Sequence, residues 1–476
     1  MTKRIGLGAS IALLLAGCAI PSEPVAVKPI APVALGLGDT PAPLVQTDWW
    51  TVLGDSQLDR IVTDALSGSP TLDAATARVR AAQAMVSGTQ AANRPNVGAD
   101  AGEQFERLSS VFIYPPPYGG TFRWMGDAQA NLSWNLDFWG KQAAAIRQAQ
   151  SGADAAKLDY QAARLALSGS VVQTYVELSR AERQIALAQS TLAQREQSAQ
   201  LSRVRVRSQL DSNIDVQAAD TLVAEARQAL VRAQGQRDLL IHALALLAGR
   251  GADYYPTISS TALKLDALPP LPATLPADLL SRRPDILAAQ ARIAGASAGR
   301  EVARKAYYPN VNLIGLVGLQ ALGIGNLLSS NASTYGGGAA IHLPIFEGGK
   351  LRADYAGATA VVDESIADYN GKVLGAVRET ADLLTRLKTL DDDLGQQRST
   401  TAGLAEVRRL NNVRVSAGLN SRLELIGYDV RLLQAQQDTV NLQADRAVAQ
   451  IQLLIAIGGG FDPAAIAPLS SPKAAQ

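Results

Sequence analysis

Of the residue types that usually perform chemistry, this chain carries very few. Histidine occurs twice, as His242 and His342, and cysteine once, as Cys18. That leaves little material for a metal cluster or a Cys-His nucleophile, and one thiol cannot close a disulfide within the chain. Gly348-Gly349-Lys350 ends like a phosphate loop, but the rest of that loop is absent. No Ser-His-Asp set stands out. What remains is charge at two places. Asp215 and Glu424 each sit just past a polar turn, and Arg203, Arg205, Arg207, Arg414 and Arg422 crowd the same places. Carboxylates brought close together attract cations, resist anions and raise one another's pKa values. Lys+Arg 44 against Asp+Glu 43 nets only +1, so no global basic field exists to hold nucleic acid.

The elements that position these charges are written twice. Pro70-Thr71-Leu72-Asp73-Ala74-Ala75 matches Pro284-Asp285-Ile286-Leu287-Ala288-Ala289, and Pro95-Asn96-Val97 matches Pro309-Asn310-Val311 at the same offset of 214. Leu210-Asp211-Ser212 matches Leu419-Asn420-Ser421 at 209, an offset that also relates Asp215 to Glu424 and Leu246 to Ile455. The unit is therefore about half of the 476 residues, used twice.

Each half predicts the same order of elements. The first repeat, 49–265, has a helix, strands at 95–110 and 126–138, a long helix at 142–207 and a return helix at 213–249. The second, 266–460, has a helix at 276–306, strands at 309–321 and 336–346, a long helix at 350–415 and a return helix at 421–457. From Gly126 to Phe138 apolar and polar residues alternate strictly, giving one greasy and one wet face. The long helical stretches contain no proline, and each would reach about 100 Å if unbroken. Val171, Leu178, Ile185 and Leu192 fall seven apart, and Leu383, Leu387, Leu390 and Leu394 step by four and three, which is coiled-coil spacing. Hydrophobic residues are 47% of the chain and aromatics 5%, as helix-rich chains are. Four strands cannot close a barrel and lipid does not tolerate open edges, so several chains must contribute; three would give about twelve strands.

Lys3 and Arg4 precede an apolar stretch, Ile5 to Ala16, too short to span a membrane as a helix. It ends Leu15-Ala16-Gly17-Cys18, which resembles the lipobox of bacterial lipoproteins. That resemblance implies a signal peptide at 1–17, cleavage before Cys18, acylation of Cys18 and, with Ala19 following, sorting to the outer membrane. Residues 18–48, with Pro21, Pro24, Pro29, Pro32, Pro41 and Pro43, read as an extended lipidated tether, and 461–476 as a tail.

With the repeat, the lipobox and the element order, Asp48-Trp49-Trp50, Arg282-Arg283-Pro284-Asp285-Ile286, Gly418-Leu419-Asn420-Ser421 and Gly458-Gly459-Gly460-Phe461 make the chain similar to the outer-membrane factor family. These TolC/OprM/NodT-like proteins are exit ducts of tripartite efflux systems. The resemblance covers 18–460. It implies an α+β fold of mainly long helices: a homotrimer with a 12-stranded outer-membrane β-barrel continued by a 12-helix periplasmic α-barrel. It implies passive conduction from an inner-membrane efflux pump, with a periplasmic adaptor docked on the duct and outer-membrane lipid around it, and neither catalysis nor a cofactor.

The resemblance also assigns the charges. The turns Arg207-Ser208-Gln209-Leu210 and Ser416-Ala417-Gly418-Leu419 become the adaptor-docking tip, with Gly418 at the family's tip glycine and Gln209 departing from it. Asp215 and Glu424 become the pore constriction. Gly427 stands where relatives often carry a further acid, so the ring is thinner here. Pairing of Arg203, Arg205, Arg207, Arg414 or Arg422 with Asp211, Asp215 or Glu424 would latch the tip shut. Trp134, Phe138 and Trp139 fit either a lipid belt or the barrel-to-helix junction. A coiled-coil adaptor or structural lipoprotein shares the lipobox and helices but leaves the four strands unexplained.

Overall fold

The computed structural model describes residues 24–31, 35–37, 46–114, 116–263 and 278–462. Cys18, the expected signal peptide and most of the expected C-terminal tail lie outside them. Within the described residues the first half runs α1 (Ser56–Gly68), α2 (Pro70–Ala91), β1 (Asn96–Arg107), β2 (Phe122–Leu136), α3 (Lys141–Arg207) and α4 (Asn213–Leu247). The second runs α5 (Leu279–Arg282), α6 (Pro284–Lys305), β3 (Asn310–Leu322), β4 (Ser333–His342), α7 (Lys350–Ser416) and α8 (Arg422–Ala456). The two long helices have 67 residues each and the two return helices 35 each. Their starts and ends are all 209 apart, while α2 and α6 keep the offset of 214.

Several boundaries differ from those expected, each for a local reason. The helix expected at 276–306 is two helices. Arg283 is extended at φ −92 and ψ 117 because Pro284 follows it, and proline disfavours helical geometry in the residue before it. β4 stops at His342 rather than running to Phe346, since Pro344 cannot donate to a ladder. β2 begins at Phe122, four residues early, because Phe105, Glu106 and Arg107 of β1 find partners there. Residues 26–30 are not a free tether. The backbone N–H groups of Ala26 and Val27 both donate to Asp363 Oδ1 at 2.8 Å, and that of Ile30 donates to Asn370 Oδ1 at 2.9 Å, strapping the arm along α7.

The chain divides into two compact units. One comprises residues 24–29, Arg78–Ala156 and Ala289–Tyr369 and holds the sheet, an antiparallel ladder in the order β1-β2-β3-β4. Its register places Ala128, Ala130, Leu132 and Trp134 on one face with Val97, Ala99, Ala101 and Phe105 of β1 and Leu313, Val317 and Leu319 of β3. The opposite face carries Asp100, Asp127, Gln129, Asn131, Ser133, Asn312 and Gln320. Asn131 donates to Asp100 across the strands at 2.8 Å, and Ser133 bonds Asn312. Among the described residues the outer edges of β1 and β4 have no strand partner. At the helix-proximal end Trp134 donates its indole N–H to Asn93 O, and Trp139 stacks on Tyr308 with centroids 5.3 Å apart, so both tryptophans pack at the strand-to-helix junction.

The other unit, within Ile30–Ala77, Lys157–Ala288 and Asn370–Gln476, holds the main core. Val171, Val172, Tyr175 and Leu178 of α3 pack with Trp49, Leu58 and Ile61, with Leu244 of α4 and with Ile451 and Leu454 of α8. Val171 and Leu178 of the heptad stripe of α3 thus bury against both return helices. Two glycines make the repeat visible as geometry. Gly249 and Gly458 adopt φ +68 and +92, and a Cβ on them would lie 2.0 Å from Gly68 O and 2.2 Å from Arg282 O. Each return helix ends on the carbonyl that closes the helix before the proline, and only glycine fits there. Arg283 has no counterpart in the first half, where the position is Ser69. Its guanidinium holds Asp285 through two bonds and donates to Glu379 at 2.8 Å and Ala456 O at 3.1 Å, tying α6, α7 and α8.

Candidate functional site

Each long helix ends in the same turn. The Leu210 N–H donates to Arg205 O at 2.9 Å and the Leu419 N–H to Arg414 O at 2.9 Å, a six-residue wrap that satisfies helix-end carbonyls. The wrap needs a left-handed residue, and Gly418 supplies it at φ +71. In the first half Gln209 adopts φ +57, the one non-glycine with positive φ among the described residues. Leu210 and Leu419 follow, 66% and 70% exposed. Ser208 continues the helix bonding to Val204 O, Ala417 to Val413 O, and Ser416 returns its hydroxyl to Asn412 O. Each turn thus presents a solvent-facing leucine on a fixed backbone.

The return helices start on matching caps. Ser212 caps α4 and Asp215, three residues on, reaches back to it, with Oδ2 accepting the Ser212 N–H at 2.9 Å and the Ser212 hydroxyl at 2.8 Å. Those two hydrogen bonds, the backbone one first, hold the Asp215 carboxyl below its ordinary range. Within one chain, then, the shift runs downward, opposite to the mutual raising expected of crowded acids, because hydrogen bonding outweighs desolvation and the Asp211 charge. Ser421 caps α8 by accepting from the Glu424 N–H at 3.2 Å, and Tyr428 donates to Glu424 Oε1 at 3.5 Å. Both acids therefore occupy the third position of a return helix, where the helix dipole favours negative charge. The pattern Ser-x-x-acid is present in the sequence at both places, and it is the signal that foretells this capping role.

The arginines divide by what the turn offers them. Arg205 forms a two-pronged bond with Asp211 at 2.6 and 2.8 Å, which holds the Asp211 carboxyl below its ordinary range. Arg203 pairs at 2.6 Å with Asp220 on α4, a partner absent from the sequence expectation. Arg414, the counterpart of Arg205, has no such pair because the counterpart of Asp211 is Asn420, which donates instead to Asn411 at 2.8 Å. Arg207, Arg414 and Arg422 have no ion-pair partner among the described residues. One chain thus offers one acid held by its cap, Asp215, a second, Glu424, bonded only by Tyr428, two arginines engaged within their own hairpin and three without an ion-pair partner among the described residues. Of the histidines, His242 packs its ring on Tyr255 at 4.3 Å. Among the described residues no group of His, Cys, Asp and Glu could hold a metal ion.

The comparisons with known proteins agree with this architecture. The family model for outer membrane efflux proteins matches residues 61–250 and 275–459, one segment per repeat. The chain is 32% identical over 370 residues to the fusaric acid resistance protein FusA of Burkholderia cepacia, covering 74% of this chain and 68% of that one. It is 30% identical over 475 residues to the pyoverdine export outer membrane protein OpmQ of Pseudomonas putida, covering 95% and 96%. The solved outer membrane protein VceC of Vibrio cholerae superposes with a TM-score of 0.80 at 30% identity, over 88% of this chain and all of that one. With the doubled segment, the sheet of one apolar and one polar face and the paired long helices, these matches lead to one conclusion: the chain belongs to the outer membrane efflux protein family.

Proposed function

We propose that the chain assembles as a homotrimeric exit duct, closed in the outer membrane by twelve strands and extended through the periplasm by its long helices. The duct conducts passively. An inner-membrane pump supplies the energy and a periplasmic adaptor docks on the turns at Arg207 to Leu210 and Ser416 to Leu419. The observation that carries this reading is the open sheet. Among the described residues β1 and β4 each leave an unpaired edge; one sheet face is mostly apolar, with Glu103 on it, and the other bears amides and carboxylates beside Ile314 and Leu316. Lipid cannot satisfy an unpaired backbone edge, so β4 of one copy pairing with β1 of the next closes a barrel with its apolar face outward.

In that assembly Asp215 and Glu424 bring up to six carboxylates to the tip and favour cations there. Arg207, Arg414 and Arg422 reach acids of a neighbouring copy or of the adaptor. Acylation of Cys18 adds an anchor to that of the barrel. No step calls for a catalytic residue. The test is assembly: the purified protein migrates on gels as a trimer that converts to monomer on heating. Migration as monomer without heating, from protein shown by circular dichroism to be folded, would favour the adaptor class instead.

A further inference from the structure

Residues 108–114 and 116–121 lie between β1 and β2 at the end of the sheet away from the helices. Their tip, Val111-Phe112-Ile113, leaves three consecutive apolar side chains 94%, 71% and 77% exposed. Soluble surfaces rarely leave such a run without use.

Two contacts fix the side of the sheet on which this loop sits. Leu108 continues the alternation of Asp100 and Gln104 and so lies on the amide and carboxylate face, yet it is only 1% exposed. The loop closes over it. The Leu108 N–H donates to Thr121 O and the Gly120 N–H to Leu108 O, both at 2.9 Å. Gly119 packs so closely that a Cβ there would stand 3.0 Å from Tyr114 O. The Tyr114 hydroxyl then meets Met125 Sδ at 3.9 Å, and Met125, opposite Gln104, is on the same face. The β3–β4 loop leans the other way. Leu327 lies 3.5 Å from where a Cβ on Gly126 would be, and Gly126 alternates with Ala128 and Ala130 on the apolar face. The two hairpin loops thus part to opposite faces, and the more apolar tip goes to the polar face.

We propose that Val111-Phe112-Ile113 is an apolar exit gate at the outer mouth of the duct, set over the lumen face by Leu108 and Tyr114. The proposal rests on the barrel reading above, in which the amide face lines the lumen. Each copy brings one such tip, and apolar side chains converging on an aqueous mouth gate by dewetting. Ions and well-hydrated solutes are held back, while cargo with apolar surface wets the constriction and passes. The gate therefore selects amphipathic over fully hydrophilic cargo at the exit.

The test labels cysteines from outside intact cells with a membrane-impermeant maleimide, subtracting the signal of the parent chain. Gln129→Cys reports the lumen face and Ala130→Cys the lipid face. Gln129→Cys is expected to label slowly with the native loop and about tenfold faster or more with Val111→Ser/Phe112→Ser/Ile113→Ser. Equal rates in the two backgrounds, fast or slow, would overturn the gate. Ala130→Cys is expected to stay unlabelled in both; its labelling in place of Gln129→Cys would sink the barrel reading itself. If the triple variant fails to reach the membrane, Phe112→Ser alone reads the same direction at smaller amplitude, and an unchanged rate there also overturns the gate.

Discussion

Exchanging the two tip residues, Gly418→Gln and Gln209→Gly, tests whether the turns are held by the left-handed wrap. The backbone is matched at the two places, with φ +71 at Gly418 and φ +57 at Gln209. A residue with a Cβ pays about 1–2 kcal/mol in that region, and glycine loses about 0.4–1 kcal/mol of extra chain entropy on ordering. The difference leaves Gly418→Gln destabilising by about 1 kcal/mol and Gln209→Gly stabilising by a similar amount. Nothing lies within 4 Å of a Cβ at Gly418, so no clash adds to the conformational cost. The effect is local, because an exposed turn opens without the core. Hydrogen exchange at the amides of Leu419 and Leu210, which donate to Arg414 O and Arg205 O, is therefore the assay. Exchange at Leu419 should quicken about fivefold in Gly418→Gln and that at Leu210 slow about fivefold in Gln209→Gly. Shifts of the same sign, or none, would refute the reasoning.

Arg283→Ala removes a mostly buried guanidinium that serves Asp285, Glu379 and Ala456 O. Loss of about 3 kcal/mol is expected, discounted for the half-exposed Glu379, and Arg283→Lys should not restore the thermal midpoint because an ammonium lacks the planar fork. The Asp215 cap sets a pH window. Its folded pKa is depressed below 3.8, so its contribution is fully present above that value and is lost as pH falls through the lower folded one. Amide protection in the first turn of α4 should stay level from neutral pH down to about 4 and fall only below it, and Asp215→Asn should weaken protection at neutral pH.

Much of this was legible in the chain. The matched prolines and the offsets of 214 and 209 foretold two halves, and the equal lengths of α3 and α7 follow from them. The strict alternation of Gly126 to Phe138 foretold the two sheet faces because a strand's side-chain period is two. Boundaries failed where a single residue overrode the pattern, as Pro284 did before α6 and Pro344 after β4. The site was legible in part. The repeat places the turns, but the charge of Asp215 alone does not reveal that it reaches back to Ser212. The Arg203–Asp220 pair joins residues 17 apart across a hairpin, a distance that only the fold closes. The side taken by the tip of the β1–β2 loop was not readable, since alternation carries to Leu108 and gives no side to Val111-Phe112-Ile113.

Single-channel recording of the purified protein in a planar bilayer, beside Asp215→Asn/Glu424→Gln, tests the duct and its tip most directly. Discrete, cation-preferring steps whose preference falls in the double variant are predicted. Steps of identical selectivity in the two proteins would remove these acids from the constriction, and a silent bilayer above folded monomer would contradict the duct.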